Sequence, residues 1–299
     1  MITYKAFGLK IASEIVLDEL MTCQCEEPEL VITQGRVPDF QAENTGGKIR
    51  RKIEQDKFWL EISGVARYYV EKGEHIIVEP QNSIAMEEVK LYLLGSCMGV
   101  VLFQKRILPL HGSCIAIREQ GLLLTGKSGA GKSTISTAIC QKGYKLLTDD
   151  VAAVRVDETT DSIVCPGYPG QKLWEDAIER AGRWEEKKSL NRISENIAKY
   201  SVKSNAFFCD KEMPIRTIIE IVSGPVEQIE ITEITSTDKL NLIMRNTYRP
   251  RFLREMGLST WHFQKCVLVG NQVTAYQITR PQGQHLEDRI ADIILEKLQ

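Results

Sequence analysis

Gly126-Lys127-Ser128-Gly129-Ala130-Gly131-Lys132-Ser133-Thr134 fits the pattern G-x-x-x-x-G-K-[ST]. Glycines at these positions let successive backbone N–H groups turn inward and form a nest for an anion. A helix that starts at the end of the loop adds its N-terminal partial positive charge. Lys132 can reach the β- and γ-phosphates of a nucleotide, and the Ser133 hydroxyl can take a magnesium ligand position. An apolar run, Leu122-Leu123-Leu124-Thr125, precedes the loop and a helical pattern follows it, the context a phosphate site needs.

Asp149-Asp150 follows a second apolar run, Lys145 to Thr148. If strand, loop, helix and strand make a right-handed crossover, both strands end at one sheet edge, and the carboxylates lie beside the phosphate loop. One can hold Mg²⁺, and the other can accept a proton from an attacking hydroxyl. The plainer alternative is a helix cap or turn. His111 is the third element. A hairpin turning at Glu119-Gln120 sets His111 opposite Ser128, where it can bond a carboxylate or a phosphate oxygen. A histidine that merely closes a strand end has the same sequence.

Two later stretches carry weaker signals. Pro166 to Trp174 (PGYPGQKLW) is turn-rich and can cover the site or act as a rigid connector that packs Trp174. Arg245, Arg249, Arg251 and Arg254 surround Tyr248 and Pro250; one can stabilise charge on a transferring phosphoryl group, with Arg249 first. A solvated helix face explains arginines equally simply. His75, His262 and His285 form no constellation and read as structural.

The elements that must hold these residues follow from pattern. Residues 1–82 read as a small β-rich module, with strands at Lys57–Ile62, Tyr68–Val70 and His75–Val78. Thr45-Gly46-Gly47 reads as a loop, and the basic stretch Lys48–Lys52 as a solvated face. Residues 83–107 read as a connecting helix, with Ser83 as N-cap and Met86, Val89, Leu93, Leu94, Met98, Val101 and Leu102 at helical spacing. Ser96 and Gly99 within it imply close packing against a neighbour. Residues 108–299 read as the P-loop domain. Its expected elements are the hairpin Ser113–Arg118/Gly121–Thr125, a helix from Lys132 to Gln141 ending at Gly143, and strands at Tyr144–Thr148, Ile215–Val222 and Val226–Ile234. An amphipathic helix over Gln284–Leu298 closes it.

Composition bounds the class. With 43% hydrophobic and 26% charged residues, the chain can build a core. A formal net charge of −2 lacks the electrostatic footprint of a nucleic-acid binder. Eight scattered cysteines without CxxC spacing fit neither a disulfide scaffold nor a structural zinc site. No apolar run approaches the length of a membrane span, and the first ten residues lack a signal peptide's apolar core. The expectation is a soluble cytoplasmic protein with no nucleic-acid or membrane partner.

Leu110-His111-Gly112, then GKSGAGKST, then Gly143 to Val151 (GYKLLTDDV), resemble the nucleotide-binding core of the HPr serine kinase/phosphorylase superfamily. Tyr4 to Leu9, Gly64 to Tyr68 and the PGYPG…LW segment are similar to its smaller members. The resemblance implies an α/β fold with a P-loop kinase core of HPr kinase/phosphoenolpyruvate carboxykinase type. It also implies phosphoryl transfer from ATP, with Mg²⁺, to a serine hydroxyl. Carried over by position, the catalytic histidine is His111 and the acidic pair is Asp149 and Asp150. Asp149 is then the base, and Asp150 the magnesium or orienting partner beside Ser133. HPr-type enzymes are oligomers, which extends a homo-oligomer expectation to this chain.

Two departures matter. Thr134 stands where HPr enzymes carry Glu, and their Glu-Ile-Arg-Gly-type signature is missing. The chain looks most like the lasso peptide precursor kinases, which phosphorylate a precursor's C-terminal serine. HPr or another carrier protein is the alternative acceptor. A nucleotide-dependent adaptor that binds peptide without transfer is an alternative of another class. Neither the LSGGQ of ABC-type ATPases nor the NKxD of GTPases is present.

Overall fold

The computed structural model describes residues 1–41, 47–81, 84–174, 192–194, 197–203 and 205–298. Eight strands make the first sheet: β1 (Ile2–Ala6), β2 (Leu9–Ser13), β3 (Met21–Thr22), β4 (Leu30–Gln34), β5 (Ile49–Ile53), β6 (Lys57–Ile62), β7 (Ala66–Glu71) and β8 (His75–Pro80). Their order is β3-β1-β2-β4-β8-β7-β6-β5. Alternation in β6 explains its two faces. Phe58, Leu60 and Ile62 enter the main core, while Trp59 turns to a separate cluster with Val37 and Tyr69. The basic stretch forms the edge strand β5, whose charges pair with Glu61, Glu255 and Glu54. Such charges blunt an open sheet edge.

Helix α1 (Met86–Tyr92), a π-turn (Leu93–Cys97) and α2 (Met98–Gln104) follow as one continuous rod. Ser83 lies outside the described residues, as do Thr45 and Gly46; α1 begins after Ala85. The expected apolar positions Val89, Leu93, Leu94, Met98, Val101 and Leu102 are buried, and so are Val100 and Phe103. A rod apolar on most sides must be covered on most sides. It packs between the first sheet and the segment Tyr248–Leu258 in one core. At Gly99 a Cβ would lie 3.0 Å from the Tyr248 ring, which accounts for the small residue there.

The remainder is built on a nine-stranded mixed sheet, making the architecture α/β. Its strands are β9 (Leu108–His111), β10 (Ser113–Ile117), β11 (Gln120–Thr125), β12 (Lys145–Thr148), β13 (Val151–Arg155) and β14 (Ile163–Cys165). Between β11 and β12 comes α3 (Lys132–Gln141), with the expected bounds. A small sheet of β15 (Gly170–Trp174), β16 (Arg192–Ser194) and β17 (Ile197–Lys203) intervenes, and the side chain of Trp174 lies outside the described ones. Then come β18 (Met213–Gly224), β19 (Glu230–Ile234), helices α4 (Ser236–Arg245), α5 (Arg251–Glu255) and α6 (Ser259–Gln272), β20 (Thr274–Pro281) and α7 (Glu287–Lys297). The path runs β12-β10-β11-β18-β14-β13-β9, with β20 joining β18 to β19. Helices α3 and α7 cover one face through Ile135, Ile139, Ile290 and Ile294. Helices α4 and α6 cover the other through Leu242, Ile243, Cys266 and Val269.

β11 and β12 are parallel but not neighbours, because β10 pairs antiparallel with both. Their C-terminal ends therefore share one sheet edge. Among the described residues, no helix is long and apolar enough to cross a membrane.

Candidate active site

The site is assembled at that edge. After Thr125 the chain turns through Gly126, whose φ of 134° and 2.5 Å approach of a would-be Cβ to the Ile221 carbonyl admit only glycine. Gly129 and Gly131 also have positive φ. Lys127, Ser128 and Gly129 are exposed at the crest, while Ala130 is buried. Lys132 is buried and donates to the carbonyls of Gly126 and Lys127 at 2.8 and 3.2 Å, so its ammonium closes over the loop. Thr134 lies one residue further along α3, partly exposed.

The two aspartates face different partners. Asp149 is buried; it accepts from Ser113 Oγ at 2.5 Å, and the Ser133 hydroxyl lies 3.2 and 3.4 Å from its two carboxylate oxygens. Asp150 turns away. Its φ is 72°, and Val151 N donates to the Asp149 carbonyl at 2.9 Å, a tight three-residue turn centred on Asp150. Strained backbone of this kind costs of order 1–3 kcal/mol and clusters at functional sites. The turn carries the Asp150 carboxylate to His111, 3.4 Å from Nδ1. The expected partnership of Ser133 with Asp150 is thus corrected: Ser133 meets Asp149, because the turn at Asp150 reverses the direction of its side chain.

His111 also reaches the site by a route other than the expected hairpin. That hairpin turns at Arg118-Glu119, both left-handed, and pairs Ser113 with Leu124. His111 is not in it and does not lie opposite Ser128. It ends the separate strand β9, paired with Val151 of β13. The switch between strands occurs at Gly112, where a Cβ would sit 2.3 Å from the Leu124 carbonyl oxygen. Nδ1 of His111 lies 3.0 Å from the Asp150 carbonyl, which assigns the proton to Nδ1. Burial holds the His111 pKa below its ordinary value; Asp150 opposes that shift and the Lys132 ammonium reinforces it. The ring is neutral near pH 7.

Residues 246–248 pair along the outer side of β9. His111 N donates to the Asn246 carbonyl, and Tyr248 N to that of Pro109. The Tyr248 ring lies 6.2 Å from that of His111, and the Arg249 guanidinium lies over Tyr248 at 5.3 Å. Arg249 is thus one ring removed from His111. Arg245 instead forms an ion pair with Glu220 at 2.6 Å, and Arg251 and Arg254 are exposed. The PGYPG segment packs beside the edge: Gly167 N donates to the Leu147 carbonyl, and Gln171 contacts Ser136 and Thr137 of α3. These are connector contacts rather than a cover over the loop's crest.

Two contributors were not anticipated. Ser113 stands two residues after His111 in the chain and buries its hydroxyl against Asp149, a proximity that its position in sequence suggests. Arg280, at the end of β20, donates from Nε to the Ala130 carbonyl at 3.3 Å, and no local pattern announces it. His262, expected to be structural, is buried with Nε2 2.7 Å from the Thr247 hydroxyl. It supports the segment that lines β9.

The oxygen donors of Ser133 and Asp149, side by side at the start of α3, fit a magnesium ion. Among the described residues no group of three or more His, Cys, Asp and Glu side chains forms a metal cage.

Residues 104–173 match the HPr Serine kinase C-terminal domain. An HPr kinase/phosphorylase of Chlorobaculum tepidum is 43% identical over 54 residues, 18% of this chain and 16% of that protein. One from Chlorobium luteolum is 47% identical over 45 residues, 15% of this chain and 14% of that protein. The chain thus spans about one sixth of the length of the curated relatives it matches. Among solved structures, the Hpr(Ser) kinase/phosphatase from Coxiella burnetii aligns over 64% of this chain and 95% of its own. The identity there is 13% and the TM-score 0.33. Through the segment that holds the phosphate loop, His111 and both aspartates, the chain is similar to the HPr serine kinases.

Proposed function

We propose that this protein is an ATP- and Mg²⁺-dependent kinase that phosphorylates a serine hydroxyl of a peptide or small protein. The observation that carries this reading is the division of the acidic pair, Asp149 on Ser133 and Asp150 on His111, beside the phosphate loop. The nest of loop N–H groups, Lys132 and the start of α3 hold the nucleotide's phosphates. Ser133 and Asp149 would hold a magnesium ion, whose chemistry when bound would be to neutralise phosphate charge. Asp150 accepts the serine proton, and His111 orients its carboxylate. The serine Oγ bonds to the γ-phosphorus as the bond to the bridging β–γ oxygen breaks, and ADP leaves with the electron pair. Arg249, one ring removed from His111, is the cation assigned to meet transferred charge.

The division of labour is residues 1–82 as module, 83–107 as connecting rod and 108–299 as catalytic domain, working in the cytoplasm as a homo-oligomer. The favoured acceptor is the C-terminal serine of a lasso peptide precursor, supported by Thr134 and the missing Glu-Ile-Arg-Gly signature. The test is mass spectrometry after incubation with ATP and Mg²⁺. The acceptors are a serine-ending precursor peptide, the same peptide without that serine, and HPr. Phosphate on the first alone supports the peptide kinase; phosphate on HPr alone replaces it with the carrier-protein kinase; phosphate on none leaves the adaptor.

A further inference from the structure

A furrow separates the first sheet from the nucleotide-binding half. Its inner hollow, about 190 Å³, is bordered by Lys5, Lys10, Gly167, Phe208 and Asp210. The outer hollow, about 360 Å³, is bordered by Asp18, Glu19, Thr22 and Pro169. Met21 and Phe208 border both, so the two hollows adjoin along one furrow, the channel. Its inner end abuts the site. Gly167 N donates to the Leu147 carbonyl at 2.9 Å, and a Cβ on Gly167 would lie 2.3 Å from the Thr148 hydroxyl. Asp149 is the next residue.

One wall of this channel is a strand edge. Among the described residues, β3 is the outermost strand of the first sheet and pairs only with β1. Cys23 N donates to the Thr3 carbonyl at 3.0 Å. In an antiparallel ladder, alternate residues turn their backbone groups to the same neighbour. Met21 and Cys23 therefore face β1, and Thr22 turns its N–H and C=O outward. An extended segment can pair there as an added strand.

We propose that the channel binds the acceptor as an extended peptide laid along β3, with its hydroxyl end toward Asp149 and Asp150. The inference rests on the peptide-kinase reading above. Charge and shape specify the occupant. At the outer end, Asp18 and Glu19 share the single ammonium of Lys90, at 3.7 and 2.9 Å, and Asp18 is exposed. That end takes a basic residue. Met21 and Phe208 between the hollows take an apolar side chain. At the inner end Lys5 is neutralised by Asp210 and Glu212 by Arg155. Among the described residues Lys10 has no ion-pair partner, so it supplies a cation for a terminal carboxylate. The peptide is thus basic, then apolar, then ends in serine.

The test uses the full chain, Mg²⁺ and a non-hydrolysable ATP analogue. The probe is a pool of synthetic peptides about eight residues long, random except for a C-terminal serine with free carboxylate. Retained peptides are identified by mass spectrometry. The wild type is expected to retain members with an apolar residue preceded by a basic one. Thr22→Pro removes the outward N–H without touching the β1 ladder and is expected to cut retention at least tenfold. Thr22→Ala keeps that N–H and is expected to retain as wild type; Phe208→Asp is expected to lose tenfold. Should Thr22→Pro fail to fold, N-methylation of alternate peptide amides gives the same readout on the wild type. No retention by the wild type, or equal retention by Thr22→Pro and Phe208→Asp, overturns the proposal. Retained peptides that gain no phosphate from ATP keep the channel and defeat the transfer reading. Phosphorylation indifferent to both substitutions does the reverse.

Discussion

The Ser133 hydroxyl lies 3.2 Å from Oδ1 of Asp149, joining the first turn of α3 to the end of β12 across 16 residues of chain. The next residue, Asp150, serves the opposite side of the site through His111. Two consecutive carboxylates therefore face different partners, and the roles proposed for them can be separated by substitution.

Asp150→Asn is expected to lower transfer by about 10²–10⁴-fold while Mg²⁺-nucleotide affinity stays within a few-fold of wild type. Asparagine tolerates the left-handed backbone at this position, so the turn survives. Asp149→Asn is expected to weaken Mg²⁺-dependent nucleotide binding by about 10–100-fold. Calorimetric titration with and without Mg²⁺, alongside single-turnover transfer, reads both. Loss of nucleotide binding in Asp150→Asn alone would reverse the assignment.

Lys132→Ala is expected to impair binding and transfer together. Its ammonium bonds the loop carbonyls of Gly126 and Lys127 as well as standing over the phosphate nest. A variant with normal nucleotide affinity would remove Lys132 from the phosphate site.

Stability is expected to fall as pH drops through about 6.5. Burial lowers the pKa of both His111 and His262 in the folded protein below the ordinary value of about 6.5. The unfolded chain therefore binds more protons in and below that range, and acidification favours unfolding. Each histidine that charges only on unfolding contributes a slope of up to about 1.4 kcal/mol per pH unit. Urea midpoints taken across this range should flatten in His111→Gln and His262→Gln. An unchanged slope in both would show that other groups carry the acid sensitivity.

Gly112→Ala is expected to destabilise by about 2–4 kcal/mol, since its methyl group meets the Leu124 carbonyl oxygen, a backbone atom with nowhere to go. Denaturant unfolding measures this directly. The position of His111 depends on the same crossing, so transfer in the folded fraction should fall as well.

Much of the nucleotide half is legible locally. An apolar strand, a glycine loop and a helix ending at Gly143 follow one another with little overlap in pattern, and α3 occupies the expected Lys132–Gln141. The placement of His111 is not legible in this way, because nothing in Leu110-His111-Gly112 distinguishes a continuing strand from one that changes partners. Asp150 poses a similar problem: a turn at Asp-Asp is one of the readings the pair allows, but nothing local says that it swings one carboxylate to His111 while the other stays on Ser133. Arg280 and His262 are brought in by long-range packing alone. In the first sheet, β6 and β8 lie where the alternation of apolar residues puts them. The parallel pairing of β2 with β4 and of β4 with β8 leaves no trace in any single segment.

The core around α1 and α2 combines Phe58 of the first sheet, Phe103 of the rod, Val151 beside the acidic pair, and Tyr248 and Phe252 beyond it. A chimera that exchanged residues 1–82 alone for a foreign module would leave the apolar faces of the rod and of the 248–258 segment without their partners. Retargeting the proposed kinase by domain grafting would therefore require the rod and the 248–258 segment to travel with the module. On the proposed reading, acceptor preference is expected to change by substitution within the furrow more readily than by recombination of parts.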